Sequence, residues 1–264
     1  MDKYEFLPNI EGGGAKTGSE ERRTKRWRIL AAGLILAVGA VWLLLLQMCG
    51  HSRSGHTDKD ALDALNGEKV QVELFVMSRC PDAIKVETVF NGVVRELYPI
   101  IDMQLNFIGK PNPNATYGVD CKHGDKECRG NIDELCALAH GGDLPLFWQF
   151  LNCLNSHSRD IGVDPDLSLK CASSAGLDTE AFFNCATQAE GHELLKQSVE
   201  NAQFAGVNTS ATVFIDGHLR CVEDGGWREC PGGHSTSDFI RDICVAYKGS
   251  RPRPSICAEY PSVV

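Results

Sequence analysis

The residue best placed to do chemistry in this sequence is Cys80, in the run Ser78-Arg79-Cys80-Pro81-Asp82-Ala83. It follows Val70-Gln71-Val72-Glu73-Leu74-Phe75-Val76-Met77, which alternates and then becomes continuously apolar, the pattern of a buried strand. After it, Ile84, Val86, Val89, Phe90, Val93, Val94 and Leu97 recur at helical spacing. Pro81 suits the first helical position, which makes Cys80 the N-cap. A sulfur there meets unpaired backbone N–H groups and the positive end of the helix dipole, and both favour the thiolate, the attacking species in thiol–disulfide exchange. The competing reading is a structural disulfide partner; the strand-Cys-Pro-helix context favours the reactive one. A dithiol oxidoreductase would carry a second cysteine three residues on, to free the bound substrate. That place is Ala83.

The second concentration of such residues is Cys121-Lys122-His123-Gly124-Asp125-Lys126-Glu127-Cys128-Arg129-Gly130-Asn131. Cys121, His123 and Cys128 are zinc-ligand types, but the close cysteine pairs of common zinc modules are missing. Twelve cysteines in one chain point instead to an oxidising compartment, where disulfides form. Neither metal nor cofactor is expected, and His123 reads as a structural hydrogen-bonding residue. With Cys49 and Cys80 set aside, the disulfide candidates are Cys121, Cys128, Cys136, Cys153, Cys171, Cys185, Cys221, Cys230, Cys244 and Cys257. Their connectivity is open from sequence. Local geometry prefers Cys221 with Cys230, which flank the Gly225-Gly226 turn; Cys244 with Cys257 is a looser expectation.

The pattern C-x-H-G-x-x-E-C-x-x-N, formed by Cys121, His123, Gly124, Glu127, Cys128 and Asn131, resembles the signature of the gamma-interferon-inducible lysosomal thiol reductase family. The similarity continues through Cys136, Cys153, Cys171, Asn184-Cys185-Ala186, Asn201-Ala202-Gln203, Cys244 and Cys257, covering about residues 70–257. The resemblance implies a thioredoxin-like fold and reduction of protein disulfides in acidic, lysosome-like compartments, with Cys80 as nucleophile. Two positions depart from the family pattern. Ala83 replaces the second active-site cysteine, and Ala211 stands where the fold usually places a cis-proline facing the nucleophile. A cis peptide before a non-proline residue costs about 2.5 to 4 kcal/mol, so Ser210–Ala211 is expected to be trans.

The elements that must position Cys80 can be read on either side of it. A second strand is predicted over Met103-Gln104-Leu105-Asn106-Phe107-Ile108, and helices near Ile132 to Ala139, Pro145 to Leu154, Thr179 to Thr187 and Glu190 to Phe204. Strand character returns at Ala211 to Ile215, Asp216-Gly217 signals a hairpin, and His218 to Cys221 is the returning strand. A closing amphipathic helix covers Thr236 to Tyr247. The order is β, α, β, helical insertion, β, β, α: an α/β, thioredoxin-like fold with a disulfide-rich helical insertion.

Ahead of this body, residues 1–28 form a polar tail ending in the basic cluster Arg22, Arg23, Lys25, Arg26 and Arg28. The uncharged run Ile29 to Leu46 has 18 residues, which at about 1.5 Å each span about 27 Å, enough for a thin bilayer. Residues 29–48 are therefore predicted to be one transmembrane signal anchor, favoured over a cleaved signal peptide because Gln47-Met48-Cys49-Gly50 offers no small-residue cleavage pattern. Residues 49–66 read as a stalk, 67–249 as the thioredoxin-like domain and 250–264 as an irregular tail. The basic cluster holds the N-terminus in the cytosol and sends the body to a secretory-pathway, lysosome-like or vacuolar lumen, or outside the cell. The acceptor patterns at Asn114 and Asn208 agree with that side.

The chain carries a formal charge of −9, and its first 28 residues are net basic, so the body is more acidic still. Nucleic acid is excluded as a partner, because phosphate binding needs clustered Lys and Arg. The expected partners are disulfide-containing proteins, small thiol compounds, and the membrane through the one N-terminal helix. Two functions compete. One is a membrane-anchored thiol-disulfide oxidoreductase attacking through a single cysteine; the other is a catalytically inactive thioredoxin-like binding or folding-assistance module.

Overall fold

The computed structural model describes residues 69–260. The predicted tail, anchor and stalk (1–28, 29–48 and 49–66) lie outside the described residues. Among the described residues no helix is long and apolar enough to cross a membrane.

The apolar run predicted as a strand forms β1, Val70–Val76. Its alternation and then continuity reflect its surroundings, since Val72, Leu74, Phe75 and Val76 are all fully buried. The helix α1 follows over Pro81–Leu97 and returns the chain to β2, Ile101–Phe107. β1 and β2 pair in parallel, with Val70 opposite Ile101 and Val76 opposite Phe107. Near the other end of the chain, β5 (Thr212–Ile215) lies antiparallel to β1 and hydrogen-bonds β6 (His218–Glu223), beyond which sits the short β7 (Trp227–Arg228). The sheet order is β2-β1-β5-β6-β7, which puts β1 inside the sheet. Parallel β1 and β2 joined by a helix, then an antiparallel hairpin and a closing helix, is the thioredoxin arrangement. The Asp216-Gly217 signal is borne out as a tight turn, with φ of 48° and 72° at the two residues. The closing helix α7 covers Thr236–Ala246 behind a Ser235–Asp238 capping box, and its Phe239 meets Phe90 of α1 with ring centroids 4.9 Å apart.

Between the two halves lie a small hairpin, β3 (Gly109–Pro111) with β4 (Val119–Cys121), and a helical insertion. The insertion comprises α2 (Asp125–His140), α3 (Leu144–Ser156), α4 (Leu167–Ala175), α5 (Thr179–Thr187) and α6 (Ala189–Phe204). The predicted helices are present, with α2 beginning seven residues before the predicted Ile132. The small hairpin and α4 were not foreseen. Leu167-Ser168-Leu169-Lys170-Cys171-Ala172-Ser173-Ser174-Ala175 is rich in serine, which has little intrinsic helix preference. Burial of Leu167, Cys171, Ala172 and Ala175 supplies what propensity does not, and Gly176 ends the helix in the left-handed conformation.

One contact shows why the insertion is needed. β2 is an edge strand, with unpaired backbone groups that invite pairing by other chains. Ser198 of α6 caps that edge, its hydroxyl donating to Leu105 O at 2.9 Å and accepting the Phe107 N–H at 2.8 Å.

Ten cysteines form five disulfides: Cys121–Cys128, Cys136–Cys185, Cys153–Cys171, Cys221–Cys230 and Cys244–Cys257. The preferred Cys221–Cys230 pairing and the looser Cys244–Cys257 are both among them. Cys136–Cys185 ties α2 to α5, and Cys153–Cys171 ties α3 to α4. Cys244–Cys257 fastens the short 3-10 helix Ser255–Glu259 against α7.

Candidate functional site

Cys80 is the free cysteine among the described residues. It occupies the N-cap position of α1 with extended dihedrals (φ −86°, ψ 123°), its sulfur accepting no capping hydrogen bond, and Pro81 holds the first helical position. Its own N–H is spent on Met77 O at 2.9 Å, so the turn that carries the sulfur closes onto the end of β1. The thiol is 6% exposed, with Sγ 3.8 Å from Ser210 O. Ala83, where a second active-site cysteine would sit, is buried in the core.

The segment facing Cys80 corrects one expectation: the Ser210–Ala211 peptide is cis, not trans. The intrinsic preference of a lone peptide is overridden by the contacts on either side of it. Ala211 and Glu223 exchange both backbone hydrogen bonds at 2.9 Å, and the Thr212 hydroxyl donates to Thr209 O at 2.8 Å. Alanine here thus keeps the backbone form expected of the usual cis-proline, and Ser210 O faces the sulfur.

Charged groups border the same turn. Lys85 joins Asp82 (3.1 Å) and the buried Glu223 (2.8 Å), while Asp82 also accepts the Gly225 N–H at 3.1 Å. The hydrogen bond that Lys85 donates to Glu223, then the one it donates to Asp82, holds its ammonium above its ordinary range. These contacts pin β6 and the following loop against the first turn of α1.

The signature residues lie at the junction of β4 and α2. Cys121 ends β4, Gly124 turns the chain with φ 76°, and Cys128 sits in the first turn of α2, bonded to Cys121. The sulfurs are thus joined to each other, not displayed with His123 as a ligand set. His123 Nδ1 and its backbone N–H both meet the buried Glu127 carboxylate. Asn131 accepts the Ser78 N–H at 3.0 Å and directs its amide N–H at Cys121 Sγ, 3.7 Å away. Ser78 in turn donates to Glu127 O at 3.2 Å. A Cβ on Gly130 would lie 2.3 Å from the Ile161 side chain and 2.5 Å from Ser78 Oγ, so only glycine lets α2 approach the turn this closely. The signature therefore acts as the bracket that holds the Ser78–Cys80 turn.

A feature missed in the sequence lies between α1, α2 and α3. Glu87, Asp133 and Glu134 are buried, and neither Glu134 oxygen has a hydrogen-bond partner among the described residues. Asn155 donates to Glu87 at 2.6 Å, and Ser168 to Asp133 at 2.6 Å. Burial pushes Glu87 up to about 7, against the opposing Asn155 hydrogen bond. It pushes Glu134 well above the carboxylate range, with Glu87, Asp133 and Glu127 adding to the effect. Asp133 is raised by burial too, moderated by Arg129 and Ser168. The available signal was a glutamate inside the apolar stripe Val86, Phe90, Val93.

His140, Glu190 and Cys185 bring ligand atoms within 4.8 Å of one another, but Cys185 is bonded to Cys136 and offers no thiolate. Asn114 and Asn208 are exposed.

The sequence profile of the family described as gamma interferon inducible lysosomal thiol reductase (GILT) matches residues 71–175. The gamma-interferon-inducible lysosomal thiol reductase-like protein of Anopheles gambiae is 28% identical over 225 residues, covering 76% of this chain and 86% of that protein. The gamma-interferon-responsive lysosomal thiol protein of Arabidopsis thaliana is 25% identical over 209 residues, covering 78% and 83%. Among solved structures, the oxidoreductase DsbA from Xylella fastidiosa aligns with a TM-score of 0.42 at 12% identity, over 68% of this chain and 86% of its own.

Proposed function

Because this chain belongs to the gamma-interferon-inducible lysosomal thiol reductase family, we propose that it is a thiol-disulfide oxidoreductase that attacks disulfides through Cys80 alone. The observation that carries this reading is an unbridged sulfur at the N-cap of α1, in a chain whose other described cysteines are all paired. The Cys80 thiolate attacks one sulfur of a substrate disulfide. A Cys80–substrate bond forms, the substrate bond breaks, and the second substrate sulfur leaves as a thiol after taking a proton. Ser210 O beside the sulfur supports a substrate chain lying along the Thr209–Ala211 segment.

The substrates are disulfide-containing proteins or small thiol compounds. The apolar run 29–46 and the basic cluster before it support a single-pass anchor, with the body in a secretory-pathway, lysosome-like or vacuolar lumen or outside the cell. Glycans on the exposed Asn114 and Asn208 belong to the same reading.

Trapping tests the attack directly. Mixing the protein with a peptide closed by one disulfide, without a thiol donor, and quenching in acid is expected to give a protein carrying one peptide equivalent, mapped to Cys80. Recovery of unmodified protein after prolonged incubation would remove the proposal.

A further inference from the structure

Ala83 leaves open how a mixed disulfide on Cys80 is released. We propose that Cys121–Cys128 is a second redox pair, reduced by a carboxylate-bearing small thiol in the adjoining cavity and able to resolve the Cys80 mixed disulfide. This inference rests on the attack by Cys80 proposed above.

Three observations converge on it. First, Cys121 is half-buried and lines a cavity of about 660 Å³, shared with Ile108, Lys110, Asp120, Lys122, Gln203 and Asn208. Cys153 and Cys230 are half-buried as well, but neither lines this cavity. Second, the cavity adjoins the end of β1, the strand that leads to Cys80. The Ile108 N–H donates to Val76 O at the end of β1, and Asn208 stands two residues before Ser210, whose carbonyl faces Cys80 Sγ. Third, one asparagine side chain spans from Cys121 to the active turn, Asn131 reaching Cys121 Sγ with its N–H and Ser78 N–H with its carbonyl. An N–H aimed at sulfur favours the thiolate once the bond to Cys128 is broken. Lys110 and Lys122 are exposed, with no ion-pair partner among the described residues; they outnumber Asp120, the one acid of the lining, whose carboxylate accepts the Asn112 amide N–H, and so suit a thiol that carries carboxylates.

The exchange balances. One small thiolate attacks Cys121 and expels Cys128 as a thiol; a second attacks the adduct sulfur, leaving the oxidised small-thiol dimer and a Cys121/Cys128 dithiol. The Cys121 thiolate then attacks Cys80 in the mixed disulfide, releasing the reduced substrate with a proton and forming a Cys80–Cys121 bond. Cys128 attacks Cys121, restoring its disulfide and returning Cys80 to the thiol. The net change reduces one substrate disulfide and oxidises two small thiols.

The test uses the full-length chain and glutathione as the probe. The protein is equilibrated with glutathione, stripped of small thiols by gel filtration, mixed with the disulfide peptide and quenched at intervals for peptide mapping. The expected result is selective reduction of Cys121–Cys128, followed by release of reduced peptide from Cys80 without external thiol, as Cys121–Cys128 reoxidises. In the Cys121→Ser/Cys128→Ser double variant the adduct should form but persist at least about 100-fold longer, the advantage an intramolecular thiol holds over a dilute one. Adding Ala83→Cys to that variant should restore release, which shows that the double variant still folds. A wild-type adduct as long-lived as the double variant's, or a Cys121–Cys128 bond still intact in glutathione that supports turnover, overturns this inference alone. No adduct on Cys80 overturns the proposed function and this inference with it.

Discussion

Cys80→Ser is expected to lower the rate of peptide-disulfide reduction by about 10³-fold or more, because removing the nucleophile closes the covalent route. A hydroxyl occupies nearly the same space as a thiol, and the site asks little of the sulfur beyond its position at the N-cap and its 3.8 Å approach to Ser210 O. Serine is itself a favourable N-cap, so stability should change by no more than about 1 kcal/mol. Initial rates with a thiol donor, read beside denaturation midpoints for both proteins, separate loss of chemistry from loss of fold. Unchanged turnover in the serine variant would mean that another group carries the reaction.

The buried acids give the second large effect. Glu87, Asp133 and Glu134 all hold protons more tightly in the folded chain than in the unfolded one. For Glu87 the window runs from the ordinary 4.5 to about 7. Below it both states are protonated and the fold keeps its full stability. Through it the unfolded chain gives up its proton while the folded chain retains it, so stability falls by about 1.4 kcal/mol per pH unit for each such carboxyl. The protein is therefore expected to be more stable at pH 5 than at pH 7.5, the direction suited to the lysosome-like or vacuolar lumen among the proposed locations. Glu134→Gln replaces an acid whose two oxygens lack partners among the described residues with a neutral side chain of the same shape. It should raise stability at pH 7.5, leave pH 5 little changed, and flatten the profile between them. Guanidinium midpoints of both proteins at the two pH values check this; a variant with the same slope as the wild type would place the pH response elsewhere.

What could be read from the sequence followed from interactions between near neighbours. Alternation along Val70–Val76, Pro81 after Cys80 and the Asp216-Gly217 pair each encode a backbone geometry within a few residues, and each is present. The Cys221–Cys230 bridge was accessible for the same reason, since nine positions separate the two residues. What escaped depends on groups far apart in the chain. Asn131 meets Ser78 across 53 positions, and the cis peptide at Ala211 is flanked by a pairing with Glu223. The helix α4 is held by burial despite its serines, and the acidity of Glu87 and Glu134 is altered by surroundings that α1, α2 and α3 create only once assembled. The signature itself was visible, but its task of bracing the Cys80 turn needed the fold.

The proposed chemistry depends on a free, reactive sulfur at the start of α1. Alkylating the native protein with a small maleimide, then digesting it without reduction and mapping the peptides, reads this in one step. Label on Cys80, with Cys121–Cys128, Cys136–Cys185, Cys153–Cys171, Cys221–Cys230 and Cys244–Cys257 recovered as linked peptides, is the expected pattern. A Cys80 peptide recovered cross-linked to another cysteine of the same chain, and unlabelled, would contradict it.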